Sequence, residues 1–168
     1  MKLALAALLA LGLATAAPAR AGDLVAVTPH PIALTVQDRD GHDRDFAAVS
    51  GRLTLVHFWA SWCGSCRTEF PAIDAFQRDL ADKGVKVAAV SLDRMGWPVI
   101  DRTVEALGIR EVALFHDGDR KAARDLGVVG LPTTLVVDEN GREVARVVGA
   151  GAWDDPAFRD RVMAATGH

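Results

Sequence analysis

Residues 53–70 read Leu53-Thr54-Leu55-Val56-His57-Phe58-Trp59-Ala60-Ser61-Trp62-Cys63-Gly64-Ser65-Cys66-Arg67-Thr68-Glu69-Phe70. The stretch up to Trp59 is a near-continuous apolar run with β-branched and aromatic members, as in a central strand buried on both faces. His57 is the polar side chain that stands out in it. From Cys63 the periodicity changes: Phe70, Ile73, Phe76, Gln77 and Leu80 recur at helical spacing until Gly84, which predicts a helix over 63–80, kinked at Pro71. The two cysteines of the chain therefore fall where a buried strand passes into a helix. A thiol in a first helical turn meets unpaired amide protons and the positive end of the macrodipole, and both favour the thiolate. Cys63 is thus the candidate nucleophile. Cys66, three residues on, lies on the same side of the helix, close enough to form a disulfide with Cys63 and to resolve a mixed disulfide. An inert structural disulfide is the plainer alternative, but so small a loop contributes little chain-entropy stabilisation.

Outward from this junction, 85–92 reads as a second buried strand and 99–107 as a helix ended by Gly108. Residues 112–115 form a short strand and 119–126 a short helix stopped by Gly127. Residues 133–137 and 143–148 flank Asp138-Glu139-Asn140-Gly141 as an antiparallel hairpin, and 154–165 close the chain as a helix. Upstream, Ile32, Leu34 and Val36 alternate before the turn-rich Asp38-Arg39-Asp40-Gly41-His42-Asp43, which predicts an N-terminal β-hairpin. Strands alternating with helices and then a hairpin specify an α/β fold with a mixed central sheet flanked by helices.

The 168 residues are 50% hydrophobic and carry 19 Lys+Arg against 22 Asp+Glu, with a formal charge of −3. That composition excludes a disordered chain, and without long like-charge runs it offers no surface for nucleic acid. Two cysteines exclude a disulfide-rich scaffold and a four-thiolate zinc site. Residues 3–17, an apolar run behind Lys2, precede Ala19-Arg20-Ala21 in the pattern of a secretory signal peptide. The run is short of the ~20 residues that span a bilayer. It predicts export to the periplasm, with residues 1–21 as the leader, cleaved after Ala21 or retained as an anchor, and 22–168 as one domain.

Residues 58–71, Phe58-Trp59-Ala60-Ser61-Trp62-Cys63-Gly64-Ser65-Cys66-Arg67-Thr68-Glu69-Phe70-Pro71, closely resemble the active-site segment of TlpA-like thioredoxin-fold thiol:disulfide oxidoreductases. Gly130-Leu131-Pro132-Thr133-Thr134 resembles the family's cis-proline loop, 136–143 its following hairpin, and Ser91-Leu92-Asp93 extends the likeness to roughly residues 30–155. The resemblance implies a thioredoxin fold, with Pro132 cis and facing the cysteines and Leu131 offering backbone hydrogen bonds to an extended substrate. Glu69 matches the glutamate of TlpA-like reductases, one turn after Cys66, as proton acceptor and donor for that thiol; the plainer role is a carboxylate stabilised by the helix dipole. His57 stands where thioredoxin carries a buried acid and is a candidate for tuning the cysteines, against the plainer reading of a neutral, hydrogen-bonded histidine. Trp62 packs at the site partly exposed and Trp59 in the core, while Trp97 and Trp153 receive no catalytic role. His30, His42, His116 and His168 show no ligand spacing and are read as surface residues.

The function implied is that of a periplasmic reductant needing no cofactor and no metal. It acts as a monomer on disulfides of partner proteins in cytochrome c or cytochrome oxidase copper-site biogenesis, and a membrane thiol-reducing electron-transfer protein re-reduces it. A disulfide-inserting oxidant is the alternative within the fold. A Cu(I)-binding chaperone is a second, with two thiolates and a histidine, although copper chaperones of this fold use a C-x-x-x-C spacing with a distal histidine. A thiol peroxidase would need Pro-x-x-x-Thr/Ser-x-x-Cys before its nucleophile, a pattern missing before Cys63.

Overall fold

The structure is a computed structural model that describes residues 20–167. Its strands are β1 (Leu24–Pro31), β2 (Thr35–Gln37), β3 (Asp43–Asp45), β4 (Leu53–Trp59), β5 (Val85–Ser91), β6 (Ala113–His116), β7 (Thr133–Asp138) and β8 (Arg142–Val148). They form one mixed sheet in the order β1-β8-β7-β4-β5-β6-β2-β3. At its centre β4 pairs in parallel with β5 and antiparallel with β7, and all seven of its residues are buried. The continuous apolar run has its physical reason here, since both faces of β4 are covered.

The helices are α1 (Phe46–Val49), α2 (Gly64–Leu80), α3 (Trp97–Leu107), α4 (Lys121–Asp125) and α5 (Pro156–Ala164). Leu53, Leu55 and Trp59 of β4 pack against Phe70, Ile73 and Phe76 of α2, Ile100 of α3 and Phe158 and Val162 of α5. On the opposite face Val56 and Phe58 join Leu34, Val36, Phe115, Ala122 and Ala123. The alternation along β4 thus splits the core into two layers. His57 has the same parity as Leu55 and Trp59 and lies on the α2 face.

The helix expected from Cys63 runs unbroken from Gly64 to Leu80, through Pro71. The proline removes one backbone donor, the one that would reach the Arg67 carbonyl. Gly84, at φ 77°, lets the chain turn back into β5. The expected N-terminal hairpin is β2–β3, whose turn is tied by Asp38: Oδ1 accepts the N–H groups of Asp40 and His42. That hairpin sits beyond β6, where β2 pairs at Gln37.

One strand was not expected. β1 pairs antiparallel with β8, its register slipping between Ala26 and His30. Most of its residues are exposed and it contains Pro29 and Pro31, so it carries neither the buried run nor the alternation that marks a strand. The two outermost strands are therefore a proline-bearing one and Asp43-Arg44-Asp45, all three charged and exposed. The predicted leader falls almost wholly on residues 1–19, outside those described, as does His168. Among the described residues no helix is long and apolar enough to cross a membrane.

Candidate active site

β4 ends at Trp59, and after Ala60-Ser61-Trp62 the chain enters α2 at Cys63, which caps the helix in extended geometry (φ −85°, ψ 107°). Its Sγ accepts the Cys66 N–H at 3.2 Å and lies 3.5 Å from the Ser65 hydroxyl. Cys63 and Cys66 are joined in a disulfide, S–S 2.09 Å. Their surroundings differ: Cys63 is 7% exposed and Cys66 fully buried. Of the two, Cys63 is thus the one with access to solvent, and it stands where helix amides stabilise a thiolate.

The loop before Cys63 is fixed from the end of β5. Buried Asp93 accepts the Ser61 N–H at 2.9 Å, the Ser61 hydroxyl at 2.6 Å and the Ser91 hydroxyl at 2.8 Å. The Asp93 carbonyl in turn accepts the His116 Nε2–H at 2.7 Å. His116 is thus half-buried and structural, not the surface residue expected, because β6 sets it beside the β5 terminus. The family likeness at Ser91-Leu92-Asp93 assigns Asp93 no task, although an acid directly after a buried strand is a signal for one.

Glu69, one turn into α2, is 6% exposed. Its Oε2 accepts the Gly151 N–H at 2.8 Å and the Trp153 indole N–H at 3.1 Å. Trp153, expected to have no catalytic role, holds this carboxyl in place. The contact joins positions far apart in the chain, and nothing in local spacing announces it. Burial pushes the Glu69 carboxyl up to about 7, against the pull of those two donors. His57, fully buried on β4, is pushed down to about 3 by desolvation, so its imidazole is neutral. Its Nδ1 lies 3.0 Å from the Thr134 hydroxyl on β7, and its Nε2 lies 4.0 Å from Glu69 Oε1.

The Leu131–Pro132 peptide is cis. Pro132 is buried and its carbonyl accepts the Gly149 N–H at 2.8 Å. Leu131 joins Trp62, Cys63, Leu92, Arg120 and Val129 around a groove of about 690 Å³. Trp62 is 62% exposed there, with the Arg120 guanidinium 5.8 Å from its ring. The structure thus gathers Trp62, Cys63 and Leu131 at one opening, with Pro132 adjoining. Cys66, Glu69 and His57 lie beneath, shielded from solvent. Such a site can exchange a disulfide at its mouth and hold a proton below it.

A model of the AhpC/TSA family matches residues 29–145. The thiol:disulfide interchange protein DsbE of Tatumella citrea is 31% identical over 117 residues, 70% of this chain and 60% of its own length. HelX of Rhodobacter capsulatus, a thiol:disulfide interchange protein, is 33% identical over 103 residues, 59% of this chain and 53% of its own. ResA of Bacillus anthracis, a thiol-disulfide oxidoreductase, is 28% identical over 114 residues, 68% of this chain and 65% of its own. The chain thus spans about three-fifths of the length of the curated relatives it matches. A solved structure, a putative thiol:disulfide interchange protein DsbE from Chlorobium tepidum, has a TM-score of 0.71 at 29% identity and covers 81% of this chain and 94% of its own.

Proposed function

The chain belongs to the AhpC/TSA family and has a thioredoxin-like fold, and from that premise we propose that it is a periplasmic thiol:disulfide oxidoreductase that reduces disulfides in partner proteins. The observation that carries this reading is the unequal burial of the cysteine pair, Cys63 at the mouth of the groove and Cys66 sealed beneath it. The relatives' names agree on the reaction class.

In the reduced protein the α2 N-terminus and the Cys66 N–H stabilise Cys63 as a thiolate. Its sulfur attacks a partner's disulfide; one partner sulfur leaves as a thiolate and takes a proton from solvent. Cys66 then gives its proton to the Glu69 carboxylate, and its sulfur attacks Cys63 Sγ. The Cys63–Cys66 disulfide forms and the second partner sulfur departs, so that the partner gains the two electrons the pair has lost. A carboxyl with a pKa of about 7 accepts and returns a proton with little bias near neutral pH. Trp62 and Leu131 line the groove that receives the partner's chain, next to Pro132.

The resemblance to TlpA-like reductases supports clients in cytochrome c or cytochrome oxidase copper-site assembly, with re-reduction by a membrane electron-transfer protein. An oxidising compartment offers no comparable thiol pool. Cys66→Ser is expected to trap mixed disulfides through Cys63, whereas Cys63→Ser abolishes turnover; adducts on Cys66 would reverse the two roles. Titration of the couple against dithiothreitol or glutathione fixes the direction. A potential near about −270 mV supports a reductant, and one approaching about −120 mV makes the protein an oxidant.

A further inference from the structure

His57 Nε2 and Glu69 Oε1 face each other across 4.0 Å, and both are buried without a hydrogen-bond partner. Every other polar atom of the two side chains is committed. Glu69 Oε2 already accepts two N–H groups, so a proton on this carboxyl sits on Oε1. His57 Nδ1 meets the Thr134 hydroxyl, a group that can donate or accept. An unpaired buried polar atom is costly, and here one hydrogen, on either side of the gap, serves both atoms. Closing the gap to hydrogen-bond length takes a movement of about 1 Å.

Besides Glu69, the ionisable side chains that α2 carries at this end among the described residues are the Cys63–Cys66 couple, joined in a disulfide, and the exposed Arg67. Strand β5 brings Ala89 and β7 brings Thr134, while the loop after β8 brings the Gly151 amide and the Trp153 indole. None of these titrates in the working range, and Phe70, with its ring 5.5 Å from the imidazole, adds no charge.

We propose that His57 is a positioning residue for the Glu69 proton, exchanging tautomers as that carboxyl changes charge. With Glu69 ionised, Nε2 carries the imidazole hydrogen and donates it to Oε1, while Nδ1 accepts from the Thr134 hydroxyl. With Glu69 neutral, Oε1 donates to Nε2, and Nδ1–H donates to Thr134 Oγ1. The pair holds one proton in the first state and two in the second. The proton gained is the one Cys66 releases as its sulfur attacks Cys63, so this rests on Glu69 being the acceptor for Cys66. The imidazole stays uncharged throughout, in keeping with its full burial. Each tautomer satisfies one charge state of Glu69, so neither state is left with a bare oxygen against a bare nitrogen.

The test is a pH titration of the full protein labelled with 15N-histidine and 13C-glutamate, followed by NMR in both redox states. The Nδ1 and Nε2 shifts of His57 are expected to interchange with the midpoint of the Glu69 carboxyl, and Glu69→Gln is expected to hold the Nδ1–H tautomer at every pH. A single tautomer across the titration in the unsubstituted protein, or an imidazolium signal following Glu69, overturns the proposal. Kinetically, His57→Leu removes the donor to the ionised carboxyl and should raise the pH midpoint of single-turnover disulfide closure by about one unit. His57→Gln, whose amide can donate, should return it towards the original; a midpoint unmoved by Leu overturns the proposal. The two readings fail separately. Tautomer exchange with an unchanged Glu69→Gln pH profile removes the acceptor role of Glu69, whereas a single tautomer with an altered profile removes the role of His57.

Discussion

Burial acts on Glu69 and His57 with opposite sign, because it disfavours whichever protonation state is charged. Between its ordinary 4.5 and about 7, Glu69 holds a proton in the folded protein that the unfolded chain has lost, so its contribution to stability falls as pH rises. Between about 3 and its ordinary 6.5, His57 is neutral when folded and charged when unfolded, so its contribution rises with pH. Each slope is about 1.4 kcal/mol per pH unit, and the two cancel where the windows overlap, from about 4.5 to 6.5. Glu69→Gln should unmask a gain in stability as pH rises to 6.5, and His57→Leu a loss that starts at 4.5 and continues past 7, because without the histidine donor the Glu69 carboxyl titrates higher. Urea unfolding midpoints measured across this range check both; parallel profiles for the two variants would contradict the opposed shifts. The position of Glu69 was legible in the sequence, since a residue three after Cys66 shares its side of the helix. Its anchors Gly151 and Trp153 were not, because only the folded sheet brings that loop onto α2.

The strand, loop and helix at the cysteines act as one device, and Asp93 is its clasp. Asp93→Ala leaves the Ser61 amide and two hydroxyls without their acceptor, an expected cost of about 2–4 kcal/mol in urea unfolding. The loosened loop should also shift the pH profile of Cys63 alkylation in the reduced protein towards that of an ordinary thiol. An unchanged profile with lowered stability would make Asp93 a purely structural residue. β4, β5, the β7–β8 hairpin and α2 were readable because their apolar runs and helical spacing are dense. Two kinds of element escaped. β1 is exposed and irregular, and α1 is too short for any period to show. α3 begins at Trp97, ahead of the expected 99, with Pro98 in its first turn, a position where proline starts a helix.

At the scale of the molecule, the redox couple and the fold share one free-energy cycle. A pair poised as a reductant is one whose disulfide the folded state favours, whereas a strong oxidant is stabilised in its reduced form. Reduction by dithiothreitol is therefore expected to lower Tm, with every 30 mV of potential corresponding to about 1.4 kcal/mol. A higher Tm on reduction would assign the protein to the oxidants. The sheet edges bear on a different property. With prolines and a register slip along β1, and Asp43-Arg44-Asp45 along β3, neither flank offers a second molecule a clean ladder of backbone groups. A concentrated stock should accordingly resist fibril growth, and once the pair is reduced its shelf life should be set by thiol exchange at Cys63, which a low pH would extend.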